Sequence, residues 1–594
     1  MTGFLSFADK CLFHENKNNN TSYRIGLFFA LAFALVPALE TLVLSFDRPY
    51  TIQDDARQFL FWMKQWRDPG LFNNDPIAEY FKSVTPPGYA ALHYILDKLG
   101  IEPFLANKLI VTPLFLFTAA LAYKLAYSIK PITAVAIAGS WLTCFFLSLI
   151  DQSLLSATPR AFAVPLLLWF LLSVSQNSRY QTAVSCLVQA LFYPTIALVS
   201  AGVLVLLLFR WKHSERSFGI NEKQIWPVLI GNSAIGVGLL PFILTSGSYG
   251  SIITAADAAA LPAFQVGGRS AFFLDGFIET YICGARAGFL PVEWGCGEAF
   301  RQDFGFAPLL ATMLLVFTLS IPLMLCYSAN STIVRKPGTF ENREQLFSLA
   351  LISSSFWFIA AHFFLFDLHL PSRYTQHTLR ATMWIATALL LGPPLIAAGR
   401  KYAPKLSGIL VILFALIFFI MPLPLSVSPY ANYVTGQHPK LYEHIGQLPK
   451  NSLIASLSIE ADNIPSFSGR RVLSAREYAI PYSLPYINNL RSATESLIYA
   501  QYGNSRQPLI DFLDLYRPTH LLVDMRSANA GILDQQWWYN DYPVAATGAT
   551  KNISSQPPIL FSLMHECKAV ASGPLILAST NCLRSLSSKK INHK

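Results

Sequence analysis

Two adjacent carboxylates, Asp54 and Asp55, are the residues of this sequence best placed to do chemistry. They lie in the stretch that follows the first apolar segment, at the start of a pattern in which apolar residues recur at helical spacing. A carboxylate can accept the proton of a substrate hydroxyl, and two of them together can hold a divalent cation. A second interpretation stays open, because the macrodipole and the unpaired N–H groups at a helix start also favour acidic residues there.

The stretch after the two carboxylates predicts an amphipathic helix. Its apolar face consists of Ala56, Phe59, Leu60, Met63 and Trp66, and its polar face of Asp54, Gln58 and Gln65. A helix rich in Phe and Trp next to a membrane span favours the lipid interface. We therefore expect this helix to lie flat at the membrane surface, with its apolar face in lipid.

The composition is that of a multi-pass membrane protein. Of the 594 residues, 53% are hydrophobic and 13% are charged, and the mean hydropathy is +0.40. The net charge of +10 does not indicate nucleic-acid binding, because no basic and aromatic groove pattern accompanies it. The first apolar run, near residues 25–44, is too long for the core of a signal peptide and should remain as an anchor.

The apolar segments predict a bundle of about eleven membrane helical segments. Spans are expected near residues 25–44, 104–128, 131–150, 161–176, 225–245, 306–326, 346–366, 378–398 and 406–425. The segment 179–210 contains Pro194 and predicts a hairpin of two short helices, because proline disfavours helix at the preceding Tyr193. With this hairpin, the strongly basic short loops and the N-terminus all fall on the cytoplasmic side.

The chain changes character after Pro422. Segments 452–473 and 508–525 predict strand, loop, strand and then helix, turn, strand, which indicates a small α/β domain. The expected domains are a membrane domain, residues 1–425, with external loops at 46–103 and 245–304, and an extracytoplasmic α/β domain, residues 426–594. Disulfides Cys283–Cys296 and Cys567–Cys582 are open alternatives to free thiols if these segments face an oxidising compartment.

The order of these parts resembles the GT-C superfamily, the membrane glycosyltransferases that use polyprenyl-phosphate sugars. The resemblance is carried by the acidic pair after the first span, the step Thr85-Pro86-Pro87-Gly88-Tyr89, the Pro-broken hairpin and the pair Arg373-Tyr374. It is strongest to protein O-mannosyltransferases and lipid A aminoarabinose transferases. It implies an inverting transfer of sugar from a polyprenyl-phosphate donor to an acceptor glycan, lipid or protein. The reaction would take place on the extracytoplasmic face of a cell-envelope membrane, such as the bacterial inner membrane.

The same resemblance assigns roles to individual residues. Asp54 would be the catalytic base, and Asp55 would orient it or join it in holding a divalent cation, the one cofactor these residues suggest. The candidates for binding the donor phosphate are the external cations Arg373, Arg380, Arg160 and Lys82. The candidates for lining the substrate pocket are Arg57, Gln58, Tyr89, Tyr374 and His377. The match departs from the superfamily at Thr85, where relatives often carry a basic residue, and each arginine could instead cap a helix or snorkel.

Two other functions compete with this interpretation. A transporter or flippase predicts paired charges near the bilayer midplane and inverted repeats, whereas the acids here cluster at one surface and no repeat is visible. A polymerase or ligase of cell-envelope polysaccharide would carry its main catalytic loop late in the chain. The sequence therefore favours the glycosyltransferase and leaves the sugar, the acceptor and the metal undetermined.

Overall fold

The chain forms two compact units. The computed structural model describes residues 11–15, 20–149, 153–212, 217–245, 250–291, 345–402 and 432–589. The helical unit comprises Met1–Asp47, Pro86–Leu244 and Gly276–Asn432. The α/β unit comprises Arg48–Thr85, Thr245–Asp275 and Tyr433–Lys594.

Helices and strands are numbered separately in chain order. The helices are α1 (Asn20–Phe46), α2 (Ala56–Leu60), α3 (Pro76–Val84), α4 (Pro87–Lys98), α5 (Pro103–Ile129), α6 (Thr133–Leu149), α7 (Ser153–Ser156), α8 (Ala163–Ser175), α9 (Arg179–Phe192), α10 (Pro194–Leu207), α11 (Ile225–Thr245), α12 (Ala255–Ala260), α13 (Gln345–Phe363), α14 (Ser372–Tyr402), α15 (Pro439–Gln447), α16 (Ile464–Ser468), α17 (Leu484–Tyr502), α18 (Gln507–Tyr516), α19 (Pro543–Ser555), α20 (Ile559–Glu566) and α21 (Thr580–Lys589). The strands are β1 (Thr51–Gln53), β2 (Phe209–Lys212), β3 (Ser217–Ile220), β4 (Tyr433–Thr435), β5 (Leu453–Ala455), β6 (Arg471–Val472), β7 (His520–Asp524), β8 (Lys568–Ser572) and β9 (Leu575–Ser579).

The helical unit is built from apolar helices. Among the described residues, five spans are long and apolar enough to cross a membrane, and they coincide with α1, α5, α11, α13 and α14. Shorter apolar helical segments cover Thr133–Leu147, Pro159–Ser175 and Pro194–Leu207. The predicted class, a mainly helical multi-pass membrane protein with a C-terminal α/β part, is confirmed. The predicted spans near 306–326 and 406–425 lie outside the described residues, so the number of segments stays a prediction.

The predicted break at Pro194 is present. Helix α9 ends at Phe192 and α10 begins at Pro194, and each helix has 14 residues, about 21 Å at 1.5 Å per residue. Tyr193 between them is non-helical, as expected before a proline. The two helices are in contact: the Ser200 hydroxyl of α10 donates to Gln189 Oε1 of α9 at 2.7 Å. An antiparallel ribbon of β2 and β3 follows, which the sequence analysis did not predict.

The C-terminal part of the α/β unit is a five-stranded mixed sheet with the order β6-β5-β7-β9-β8. Strand β5 pairs in parallel with β6 and β7, whereas β9 runs antiparallel to β7 and β8. The predicted order of strand, loop, strand and helix, turn, strand is present in β5, β6, α18 and β7. The hairpin of β8 and β9 was not predicted. A disulfide joins Cys567 to Cys582, and Cys296 lies outside the described residues.

Two further chain segments belong to the same α/β unit. Strand β1 of the first loop pairs antiparallel with β4, and the hydroxyls of Thr51 and Thr435 are 3.0 Å apart. In the second loop, the Ile253 N–H donates to the carbonyl of Tyr482 at 3.1 Å. No local pattern marks these pairings, because the partners are far apart in the sequence. The loops therefore fold onto the C-terminal region rather than extend from the helices by themselves.

The amphipathic stretch after the two carboxylates does not face lipid. Helix α2 is five residues long and continues as a 3₁₀ turn over Phe61–Trp66. Three residues of the predicted lipid face, Ala56, Leu60 and Met63, are fully buried inside the α/β unit. The prediction of an interfacial helix is therefore wrong. Apolar periodicity identifies the buried face, but it does not tell whether protein or lipid covers that face.

Replacement of Phe61 by alanine tests this burial. The Phe61 ring is fully buried, with ring centroids 5.2 Å from Phe72 and 5.1 Å from Tyr478. Phe61→Ala should lower the free energy of unfolding of the α/β unit by about 3–5 kcal/mol, because it leaves a cavity. Thermal unfolding in detergent would measure this as a lower Tm. The control Leu515→Ala removes an exposed side chain and should leave the Tm unchanged; equal Tm values for both variants would contradict the burial.

Candidate active site

Three carboxylates lie together in the α/β unit. Asp54, Asp55 and Glu477 each place one side-chain oxygen within 4.8 Å of the other two. Asp54 and Asp55 lie between β1 and α2, and Glu477 lies in the 3₁₀ turn Arg476–Tyr478. Glu477 is not among the residues predicted from the sequence, because no motif surrounds it and it is remote in sequence from the acidic pair.

Arg57 connects these carboxylates. It is buried and donates from Nη2 to Asp54 Oδ1 and from Nη1 to Asn463 Oδ1 at 2.8 Å. The same Nη2 is 3.5 Å from Glu477 Oε2. Burial alone would lower the pKa of Arg57, but the carboxylates of Asp462, Glu477 and Asp54 together raise it. Arg57 therefore stays charged and is bonded to protein groups.

Glu477 accepts hydrogen bonds at both carboxylate oxygens. Gln58 Nε2 donates to Oε1 at 2.5 Å, and Arg269 Nη2 donates to Oε2 at 3.1 Å and to the Glu477 carbonyl at 3.0 Å. The Glu477 N–H donates to Asp462 Oδ1 at 2.8 Å. Burial raises the pKa of Glu477 to about 7, although Arg269 acts in the opposite direction. Burial likewise raises the pKa of Asp462.

One carboxylate oxygen of Asp54 is hydrogen-bonded to Arg57, and the other is open to a substrate. Its side chain is 40% exposed, and within the described part of the chain its Oδ2 makes no hydrogen bond. Asp55 is the residue before α2, but its side chain makes no capping hydrogen bond to the helix. A carboxylate with one fixed and one presented oxygen can accept a proton from a hydroxyl. Together with Asp55 and Glu477 it also offers the oxygen ligands that Mg²⁺ and Mn²⁺ prefer.

Four arginines of the helical unit are close enough for their charges to interact. Arg373 is in the first turn of α14, and the charges of Arg160, Arg286 and Arg380 all act on it. The backbone carbonyl of Arg286 accepts from the N–H of Ser372 at 3.2 Å, which places this loop beside the start of α14. Arg286 was missed because it lies in a loop without a motif. Like charges repel, so an anion such as a phosphate would stabilise this cluster.

The remaining predicted site residues are in different surroundings. His377 is buried, with its Nε2 3.1 Å from the hydroxyl of Tyr193. Tyr374 is buried and donates to a backbone carbonyl at 2.9 Å, and Tyr89 is fully buried. Lys82 is exposed in the last turn of α3 and makes no ion pair with any residue that the structure describes. Tyr89 or Tyr374 could contact a substrate only if the side chains packed around it moved.

Replacement of Arg373 tests the arginine cluster as an anion site. Arg373→Gln should weaken the binding of a lipid phosphate about 10- to 100-fold, because a charge-assisted hydrogen bond is worth about 1.5–3 kcal/mol. Equilibrium binding of radiolabelled polyprenyl phosphate in detergent is the measurement. Arg179→Gln, at an exposed position of the same unit, is the control and should bind like the wild type. Equal affinities in all three proteins would remove the cluster as a phosphate site.

No protein-family model and no curated protein matches the chain. The chain is similar to the oligosaccharyltransferase AglB from the archaeon Archaeoglobus fulgidus, solved with an inhibitory peptide and a dolichol-phosphate, at a TM-score of 0.47 and 10% identity over 87% of this chain and 72% of AglB. It is also similar to the arabinofuranosyltransferase AftD from Mycobacteria, at a TM-score of 0.46 and 14% identity over 84% of this chain and 36% of AftD.

Both of these proteins are GT-C superfamily glycosyltransferases.

Proposed function

We propose that this chain is an inverting membrane glycosyltransferase of the GT-C type. It takes a sugar from a polyprenyl-phosphate donor and transfers it to an acceptor glycan, lipid or protein. The N-terminus is cytoplasmic, and the α/β unit and the reaction are on the extracytoplasmic face. The charge of the short loops supports this orientation, because positive residues favour the cytoplasmic side.

The observation that carries the proposal is that the Asp54 carboxylate is both fixed by a neighbour and accessible. One oxygen is fixed by Arg57, and the side chain is exposed enough to meet a substrate. In the reaction, an acceptor hydroxyl attacks the anomeric carbon of the donor sugar, and Asp54 takes the proton of that hydroxyl. The bond from the anomeric carbon to the phosphate oxygen breaks, and polyprenyl phosphate leaves with the electron pair. A single displacement of this kind inverts the anomeric centre.

The donor phosphate needs cations as negative charge develops on it. Arg373 with Arg160, Arg286 and Arg380 is proposed to supply them. Lys82 and His377 were proposed from the sequence as further partners of the donor. They are secondary candidates, because Lys82 is exposed in the last turn of α3 and His377 already contacts Tyr193.

A divalent cation fits the three carboxylates by ligand type and spacing. Asp54, Asp55 and Glu477 are proposed to hold it, and when bound it would stabilise negative charge on an oxygen of the substrate. Two of these carboxylates also contact guanidinium groups, so they would share their oxygens between the cation and the arginines.

Replacement of Asp54 by asparagine tests the reaction and the base together. In proteoliposomes supplied with a panel of radiolabelled polyprenyl-phosphate sugars, Asp54→Asn should lower kcat about 100-fold or more, the usual worth of a positioned proton acceptor. The matched control is Asp68→Asn, an acid of the same loop with 37% exposure that pairs with Lys450. The control should retain wild-type activity.

Two other outcomes would contradict the role of Asp54 or the reaction itself. Full activity in Asp54→Asn would keep the enzyme but leave the acidic pair as part of a helix start. Absence of transfer from every donor would reject the proposal, and lipid translocation in the same vesicles would then test the flippase alternative.

Removal of divalent cations tests whether the transfer reaction requires a bound metal ion. Treatment with EDTA should lower transfer in the wild type, and addition of Mn²⁺ or Mg²⁺ should restore it. The measurement is the same transfer assay, with Ca²⁺ as a comparison cation. Activity that EDTA leaves unchanged would assign the three carboxylates to proton transfer and to ion pairs with the arginines.

A further inference from the structure

The side chain of Asp54, the proposed base, can rotate freely unless other groups hold it. Asp54 is only partly buried, and exposed carboxylates exchange rapidly between rotamers. Helix α2, which follows it, has five residues, too few for a stable helix by itself. The position of Asp54 must therefore come from tertiary contacts.

Arg57 supplies these contacts and has little capacity for other partners. It is 5% exposed. Its Nε donates to the Asp54 carbonyl at 3.3 Å, its Nη2 to the Asp54 carboxylate, and its Nη1 to Asn463 at 2.8 Å. A guanidinium bonded through all three nitrogens has its plane fixed. It therefore orients the carboxylate and the backbone of Asp54 at the same time.

The partners that fix Arg57 come from the C-terminal region. Asn463 ends the 3₁₀ turn Ile459–Asn463 and is buried. Glu477 lies close to Arg57 and is itself held by Gln58 and by Arg269 of the second loop. The first loop and the C-terminal region thus meet at this guanidinium, and the second loop holds one of its partners, Glu477.

We infer that Arg57 is the positioning residue of Asp54, and that the C-terminal region of the α/β unit acts in catalysis by holding Arg57 through Asn463 and Glu477. This inference rests on the proposed function, because it assumes that Asp54 is the base. It gives Arg57 a role that differs from the substrate contact expected from the resemblance, and it gives the C-terminal region a role in catalysis.

A double-mutant cycle tests this role. Arg57→Lys keeps the charge but cannot bond three acceptors in a plane. It should lower kcat about 10- to 100-fold, as expected for a misplaced catalytic group, with the KM for the donor nearly unchanged. In the Asp54→Asn background, the same substitution should cause almost no further loss, because Arg57 acts through Asp54.

The control is a buried arginine with a structural role. Arg470 is also buried and donates to the backbone carbonyls of Gly446 and Leu448 in the same unit. Any activity loss in Arg470→Lys should be the same in the wild-type and Asp54→Asn backgrounds. The contrast between the two arginines separates positioning from general destabilisation, and the Tm of each variant checks that it is folded.

A milder variant covers the case in which Arg57→Lys does not fold. Asn463→Ala removes one acceptor of Arg57 and leaves every charge in place. It should lower kcat in the wild type and have no effect in the Asp54→Asn background.

The outcomes distinguish this inference from the proposed function. Loss of activity in Asp54→Asn together with equal losses for Arg57→Lys in both backgrounds, or an effect on KM alone, would overturn the positioning role and keep the enzyme. Wild-type activity in folded Asn463→Ala and Arg57→Lys would do the same. Full activity in Asp54→Asn would overturn this inference together with the role of Asp54 as the base, and would keep the transfer reaction.

Discussion

A buried guanidinium must be paired, and in the α/β unit this requirement joins parts of the chain that are far apart. Arg57 contacts Asp54 on its own loop and Asn463 and Glu477 in the C-terminal region. Removal of one partner of a buried ion pair costs about 3–5 kcal/mol, because it leaves a charge without compensation. The first loop therefore cannot take this conformation unless the C-terminal region is folded beneath it, and the arrangement of the three carboxylates depends on the same contacts.

In the helical unit the corresponding constraint acts on the backbone. Pro194 leaves a carbonyl of α9 without its usual donor, and a break of this kind at membrane depth must be covered by protein. Protein covers the break, because Gln189 and Ala190 beside it are fully buried. Gln189 also donates to the carbonyl of Leu166 at 2.9 Å and accepts from Ser200. The short helices α9 and α10 are thus stable as part of a bundle, with other helices packed around them.

Much of the architecture could be predicted because it follows from local physics. Long apolar runs predict the spans, proline predicts the break before α10, and short apolar runs next to turns predict β5 and β7. The candidate base could be found because Asp54 and Asp55 are an acidic pair in the loop after the first span, at the start of a helical pattern. The candidate phosphate-binding residue Arg373 could be found because a cation on the external side opposes the usual charge bias.

The sequence by itself thus determined the membrane class, the positions of the described spans, the α/β character of the C-terminal part and the acidic pair. Only the tertiary structure decided what surrounds that pair. Glu477, Asn463 and Arg269 reach it from distant segments, and the apolar face of α2 is covered by protein where the pattern alone also allowed lipid. The physical reason is that periodicity reports how much of a residue is buried, whereas the identity of its neighbours depends on long-range pairings that no local pattern contains.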